Sequence, residues 1–123
     1  MRFARSVFRV AGWWGIATVT PLYFLMEAAA RQRGVPITYA HLIYGFIGVT
    51  LAWQAAFLVI ATDPVRYRPL MIPCLIEKFS YVIALAVLYA QSRVLGVDAL
   101  TAVPDGTLGV LFFIAYLRTS RSA

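Results

Sequence analysis

The sequence predicts an all-α fold, a membrane-spanning four-helix bundle with cytoplasmic N- and C-termini, from three observations. Of its 123 residues 62% are hydrophobic, and the mean hydropathy is +0.79. Only 13% are charged, whereas an average soluble domain is roughly 45–50% apolar and about 25% charged. The apolar residues form four runs, each close to the ~20 residues that cross a bilayer. Because a soluble domain of this length would lack a polar surface, we expect one integral membrane domain over residues 1–123.

The first predicted span covers residues 10–30 and follows three arginines, Arg2, Arg5 and Arg9. A cleaved signal peptide is the alternative, with these arginines as its basic region and 28–30, three alanines, as its cleavage site. However, the apolar run is longer than the ~7–15 residues of a signal-peptide core, and no exported soluble domain follows it. We therefore expect an uncleaved span.

The other three predicted spans cover residues 38–61, 70–90 and 99–117. Pro64 is expected to end the second span, because proline has no amide hydrogen and clashes with the preceding turn. Pro104 falls inside the fourth span, so we expect a kink there.

Arginines in the connecting segments predict the orientation, because cytoplasmic loops carry the excess of positive charge. In the predicted topology, seven arginines lie on the side of the termini and three on the other, so both termini should be cytoplasmic. The net charge of +6 is thus explained without nucleic-acid binding. The first group is Arg2, Arg5, Arg9, Arg66, Arg68, Arg118 and Arg121; the second is Arg31, Arg33 and Arg93.

Four polar residues within the predicted spans, Gln54, Glu77, Lys78 and Asp105, are candidates for an intramembrane site. A charged side chain at the bilayer centre costs at least ~2.5 kcal/mol, so such residues usually face the bundle interior. At ~1.5 Å per residue the four lie at similar depth, and we expect Lys78 to reach Asp105 and Gln54 to hydrogen-bond Glu77. The layer is either a proton- or ligand-binding site or an interhelical ion pair that holds the bundle together, and the second interpretation is favoured.

Glu27 and His41 form a second candidate pair, at the outer ends of the first and second spans. Imidazole titrates near neutral pH, so the pair would be sensitive to protons. The alternative is that both side chains face headgroups or water.

Small residues in the second span predict a helix-packing face, formed by Gly45, Gly48, Ala52 and Ala56. Three of them are spaced four residues apart, which permits close approach of another helix. The partner is either another helix of the bundle or a second protein.

The loop between the second and third spans contains Arg66, Tyr67 and Arg68 between two prolines. Such a rigid basic hairpin suits anionic headgroups or an acidic partner. Alternatively, it is a cytoplasmic loop that only sets the topology.

No metal or cofactor site and no catalytic set is predicted. A lone His41 with scattered carboxylates lacks the three or four ligands of a zinc site. Cys74 is the only cysteine, which excludes an intramolecular disulfide. Ser80 has no second histidine to act as its base.

The run from Tyr44 to Gln54, the segment 63–70 and the pair Glu77-Lys78 resemble small uncharacterised bacterial four-helix membrane proteins, loosely grouped with the DoxX-like proteins. The resemblance covers about the central half of the chain. It implies a multi-pass protein of a bacterial inner membrane and assigns no catalytic residue.

Together these observations predict a noncatalytic accessory or structural subunit, embedded in the lipid bilayer and packed against other membrane proteins or against further copies of itself. One alternative is a small proton-coupled transporter that uses the Glu/Asp/Lys layer. The other is an intramembrane enzyme that modifies a lipid or a quinone.

Overall fold

A computed structural model describes residues 2–34, 38–94 and 96–119, with the side chain of residue 97 left aside. Within these ranges the chain is all-helical and has no strand. Two helices are much shorter than the others, and a 3₁₀ turn at Arg68–Leu70 leads directly into a long one. The α-helices are α1 (Arg2–Val19), α2 (Leu22–Gln32), α3 (Ala40–Thr62), α4 (Met71–Ala90), α5 (Gly96–Ala99) and α6 (Ala102–Arg118).

Among the described residues, two helical stretches are long and apolar enough to cross a membrane, Ala40–Thr62 and Arg68–Ala90. In each, only 22% of the most apolar window is buried inside the protein. A core helix of a soluble protein would be mostly buried, whereas these helices expose large side chains such as Leu42, Ile76 and Ile83. A contiguous exposed apolar surface of this kind is typical of contact with lipid, which indicates a membrane-associated helical protein.

The first apolar run forms two helices instead of the single span expected over residues 10–30. α1 ends at Val19 and α2 begins at Leu22. Pro21 lies between them, and its ring and missing amide hydrogen prevent the backbone bond that would continue α1.

The last apolar run is also interrupted, at Leu100 and Thr101, between α5 and α6. Pro104 lies in the first turn of α6, where a missing amide hydrogen costs little. The break therefore precedes the proline, and the kink expected at Pro104 itself is replaced by a helix start.

One end of the molecule joins the beginning of α1, the α3–α4 turn and the end of α6. The guanidinium of Arg118 lies 4.7 Å from the ring centre of Phe3. Arg68 Nε donates to the carbonyl oxygen of Thr119 at 2.9 Å. We call this the Arg68 end.

The opposite end, which we call the Arg33 end, is closed by a two-pronged ion pair. The guanidinium of Arg33 donates to both carboxylate oxygens of Asp98 at 2.9 Å. This contact ties the end of α2 to α5. The long helices α1, α3, α4 and α6 therefore run alternately in opposite directions between the two ends.

The core lies toward the Arg68 end, where three phenylalanines from α1, α3 and α6 meet. The rings of Phe8 and Phe112 stack at 4.3 Å, and Phe57 packs edge-on against Phe112 at 4.9 Å. Such pairs contribute about 0.5–1.5 kcal/mol each beyond their burial. We call this region the packed half; its buried apolar residues are Ala4, Phe8, Ala11, Phe57, Ile60, Ala61, Met71, Cys74, Phe112 and Ala115.

Candidate functional site

A cavity of about 610 Å³ separates the helices in the half of the bundle toward the Arg33 end. On one side it is bounded by α1, α2 and α3, and on the other by α4 and the beginning of α6. α3 and α4 are joined by a short turn, yet they make few contacts because the cavity lies between them. We call this region the cavity half; its lining residues are Trp14, Gly15, Thr18, Val19, Leu22, Phe46, Val49, Thr50, Trp53, Gln54, Glu77, Lys78, Ser80, Tyr81, Ala84, Thr101, Pro104 and Asp105.

The four candidate polar residues all line this cavity, at the level where it meets the packed half. On α4, Lys78 and Tyr81 recur at helical spacing and so lie on one face of the helix. Asp105 follows Pro104 in the first turn of α6, directly opposite that face. The regular spacing of α4 and the late start of α6 thus bring the charged groups together.

Lys78 lies at the centre of the charged group. Its Nζ is 3.4 Å from Asp105 Oδ1 and 3.7 Å from Glu77 Oε2, and 5.2 Å from the ring centre of Phe57. Only 4% of the Lys78 side chain is exposed, against 20% of Glu77 and 25% of Asp105. The accessible charge of the cavity floor is therefore carboxylate, and the ammonium is covered.

Gln54 is 1% exposed and lies beside this group. Its Nε2 donates to the carbonyl oxygen of Thr50 at 2.9 Å, in place of the hydrogen bond to Glu77 that we expected. Among the described residues, neither Gln54 Oε1 nor Glu77 Oε2 has a hydrogen-bond partner. Glu77 Oε2 still has the ion pair with Lys78, whereas an unpaired buried acceptor such as Gln54 Oε1 costs about 1–3 kcal/mol.

The packed half closes the side of the cavity that faces the Arg68 end. Phe57 and Phe112 are fully buried directly beyond Lys78. The cavity therefore lies within one half of the bundle, with buried phenylalanines on its side toward the Arg68 end.

The outer candidate pair is not joined. Glu27 on α2 and His41 on α3 are both exposed, and no ion pair or hydrogen bond links them among the described contacts. Their surroundings correspond to the interpretation in which both side chains face headgroups or water.

The predicted packing face of α3 is only partly in contact with other helices. A β-carbon at Gly48 would lie 3.1 Å from the hydroxyl of Tyr23, whereas one at Gly45 would meet nothing within 4 Å. Ala52 is exposed and Ala56 is partly buried.

Closer helix contacts occur at three glycines that the sequence reasoning missed. A β-carbon added at Gly12 would lie 2.6 Å from Leu58 Cδ2. One added at Gly109 would lie 2.9 Å from Phe79 Cζ, and one added at Gly15 would overlap the Gln54 amide. The small residues Ala4, Ala11 and Gly15 recur along one face of α1, and this spacing was the available signal.

The basic loop is partly used inside the protein. Arg68 stacks on the ring of Tyr116 at 3.8 Å and donates through Nε to the last carbonyls of α6. It thus caps the C-terminus of that helix, where cations are stabilising. Arg66 is exposed, with its guanidinium 5.5 Å from the ring centre of Tyr67, and stays accessible to an anionic partner.

Within residues 2–34, 38–94 and 96–119, no three His, Cys, Asp or Glu side chains are grouped as metal ligands would be. Cys74 is buried among apolar side chains of the packed half. The chemistry available at the floor is therefore ion pairing, hydrogen bonding and proton exchange through carboxylates.

Comparisons with protein-family models, with curated proteins and with solved structures found no match to this chain. The resemblance to DoxX-like proteins accordingly remains an expectation, and the site described above is the basis for any functional conclusion.

Proposed function

We propose that this chain is a four-span membrane protein that binds an amphipathic small molecule in the cavity half. The observation that carries the proposal is the cavity itself, an apolar cleft of about 610 Å³ with charged groups on its floor. Ligand sites are typically clefts of about 300–1,000 Å³ with apolar walls and a few convergent polar groups. A lipid-soluble molecule with a polar head matches this distribution.

The position of the charged groups supports this function beside the structural role of an interhelical ion pair. An ion pair that only joins two helices has no need of carboxylates on the wall of a cavity. Here Glu77 and Asp105 keep part of their surface in the cavity. Lys78 holds them in place while leaving carboxylate oxygens for a ligand.

The four-span arrangement is supported by the alternating direction of the long helices. α1 with α2 forms one crossing, α3 and α4 form two more, and α6 forms the fourth. The arginine distribution favours cytoplasmic termini in a bacterial inner membrane. In a variant in which Cys74 is replaced by serine, a cysteine at position 66 should react with membrane-impermeant maleimide only from the cytoplasmic side, and one at position 33 only from the periplasmic side.

The binding function can be tested with purified protein in lipid nanodiscs and an uncharged probe, 4-phenylbutanol. Ala84 lines the cavity, so Ala84→Phe should fill it and abolish the heat of binding measured by titration calorimetry. Ala86 is exposed on the same helix and does not line the cavity, so Ala86→Phe should bind like the wild type. Binding that is unchanged in Ala84→Phe would rule out the proposal.

A proton-coupled transporter would use the same layer, but it would need an opening at the Arg68 end, where the phenylalanines pack. A lipid-modifying enzyme would need a reacting bond beside Glu77 or Asp105.

A role as an accessory subunit is the second candidate, favoured by the exposure of Gly45 and Ala52 on α3. These positions let another helix approach closely. Purification in mild detergent should recover a stoichiometric partner that Gly45→Leu releases and Ala86→Leu retains. Recovery of the chain alone would exclude a stable subunit role.

A further inference from the structure

The hydroxyl groups that line the cavity direct their protons away from it. Each donates to a backbone carbonyl three or four residues earlier on its own helix, at 2.7–3.2 Å. Their oxygens retain only acceptor lone pairs for a ligand. These residues are Thr18, Thr50 and Ser80.

The phenol of Tyr81 is also committed as a donor. The Thr101 hydroxyl donates to the carbonyl oxygen of Asp98 at 2.7 Å. The 2.8 Å contact between Tyr81 and Thr101 must then use the proton of the tyrosine. A ligand that reaches this wall again meets acceptors.

Gln54 adds an acceptor at the floor. The carbonyl of Thr50 can only accept, so the Gln54 amide nitrogen faces it and the free end is the oxygen. This oxygen is buried without a partner among the described residues, in a side chain that lines the cavity. Its negative dipole end adds to the field of the two carboxylates.

The net fixed charge of the cavity floor is negative as well. Glu77 and Asp105 together carry one more charge than Lys78 balances, and Lys78 is nearly covered. Apart from the indole N–H groups of Trp14 and Trp53, the cavity surface therefore offers acceptors and negative charge. Indole rings also attract cations through their π faces.

On the basis of the binding function proposed above, we infer that the bound molecule carries a cationic head with N–H donors, as an alkylammonium or arylalkylammonium does. Its ammonium contacts the parts of the Glu77 and Asp105 carboxylates that are exposed to the cavity, on the side away from the covered Lys78, and its apolar part lies against the aromatic walls. Each N–H that meets a carboxylate forms a charge-assisted hydrogen bond, about twice as strong as a neutral one. An anionic head would meet the same groups at a repulsive distance.

Three probes of the same size and different head groups test this inference: 4-phenylbutylamine, 4-phenylbutanol and 4-phenylbutyrate, titrated into wild-type protein in zwitterionic nanodiscs at neutral pH. Empty nanodiscs correct for partition into lipid. The ammonium should bind at least about tenfold tighter than the alcohol, and the carboxylate should bind most weakly.

Equal affinities for amine and alcohol, or tightest binding of the carboxylate, would overturn the inference and leave the binding function intact. Absence of binding by all three probes would overturn the binding function itself. The wild-type ranking decides between these results even if no variant folds.

Two variants test which carboxylate produces the preference for the amine over the alcohol. Asp105→Asn, which keeps the contact between Glu77 and Lys78, should reduce the preference for amine over alcohol severalfold. Asp98→Asn is the matched control, because Asp98 pairs with Arg33 outside the cavity, and its preference should equal that of the wild type. An unchanged preference in Asp105→Asn would contradict the placement of the ammonium.

Discussion

The packed half and the cavity half are built from the same four long helices, yet they differ in how closely these helices approach. In the packed half, small residues on α1 and α6 let three phenylalanines interlock with no exposed surface. In the cavity half the helices separate, and large aromatic side chains such as Phe46 and Trp14 remain exposed. Stability and function are therefore expected to depend on different residues.

The breaks in the helices contribute to this difference. α1 ends at Val19 and α6 starts only at Ala102, so the two central helices are interrupted toward the Arg33 end while remaining continuous through the packed half. Backbone interruptions in a membrane are tolerated where they line a cavity or are covered by protein. The interruptions beside Pro21 and before Pro104 thus lie in the half of the bundle that contains the cavity.

Truncation of a phenylalanine should give the largest contrast. Phe112→Ala leaves a void among Phe8 and Phe57, and we expect a loss of about 3 kcal/mol of unfolding free energy, the low end for such changes because lipid also solvates the unfolded side chain. Phe46→Ala, in the cavity wall, should change the free energy of unfolding by less than about 0.5 kcal/mol. Denaturant titrations in mixed micelles measure both.

Phe113→Ala is the control on the same helix, since Phe113 is 48% exposed beside the fully buried Phe112. Equal losses for Phe46→Ala and Phe112→Ala would mean that the two halves contribute alike to stability, and would remove the distinction drawn above.

Addition of a methyl group tests the same contrast from the opposite direction. Gly12→Ala places a carbon 2.6 Å from Leu58 Cδ2 and 3.0 Å from the backbone oxygen of Gln54, and should cost about 1–3 kcal/mol through overpacking. Gly45→Ala meets open space and should stabilise α3 by up to about 1 kcal/mol. A neutral result for Gly12→Ala in thermal unfolding would show that α1 and α3 separate readily.

The two arginines of the basic loop should also differ. Arg68 caps α6 through two carbonyl oxygens and stacks on Tyr116, so Arg68→Gln should lose about 1–2 kcal/mol. Arg66→Gln, on the exposed neighbour, should lose less than about 0.5 kcal/mol. Equal melting temperatures for the two variants would mean that the cap does not stabilise the fold and that the loop serves only topology or binding.

Sequence reasoning reached the all-helical class and the four polar residues because both depend on composition and helical spacing. Gln54, Glu77, Lys78 and Asp105 lie at one level because helices of fixed rise start from nearby loops. The direction of the Gln54 amide could not be predicted, since its bond to Thr50 depends on the rotamer that Gly15 permits.

The cavity could not be predicted from the sequence either. Its existence depends on the separation of α3 from α4, which follows from which helix pairs pack through Gly12 and Gly109. Hydropathy marks apolar residues without saying whether they face lipid, protein or an internal space. For the same reason the sequence predicted that Arg68 either binds an anionic partner or sets the topology, and did not indicate that it caps α6 and stacks on Tyr116.

The smallest effect is expected at the Arg33 end. Hydrogen bonds from the guanidinium of Arg33 lower the pKa of Asp98 below its usual value near 3.8. Because this pKa is lower in the folded protein than in the unfolded one, the pair stabilises the fold above about pH 3.8, and the contribution is lost as pH falls through the folded value. Asp98→Asn should therefore lower the melting temperature slightly at pH 7 and converge with the wild type in acid.

The pair is exposed, so salt should shrink the difference further. Arg33→Gln should reproduce it, and the double variant Arg33→Gln with Asp98→Asn should add nothing, because each single change already removes the contact. A gap that persisted unchanged in acid below the folded pKa of Asp98 would place the role of Asp98 elsewhere. A gap as large as that of Arg68→Gln at pH 7 would mean that the Arg33 end contributes as much to stability as the Arg68 end. We expect a smaller contribution, because the cavity separates the helices toward the Arg33 end.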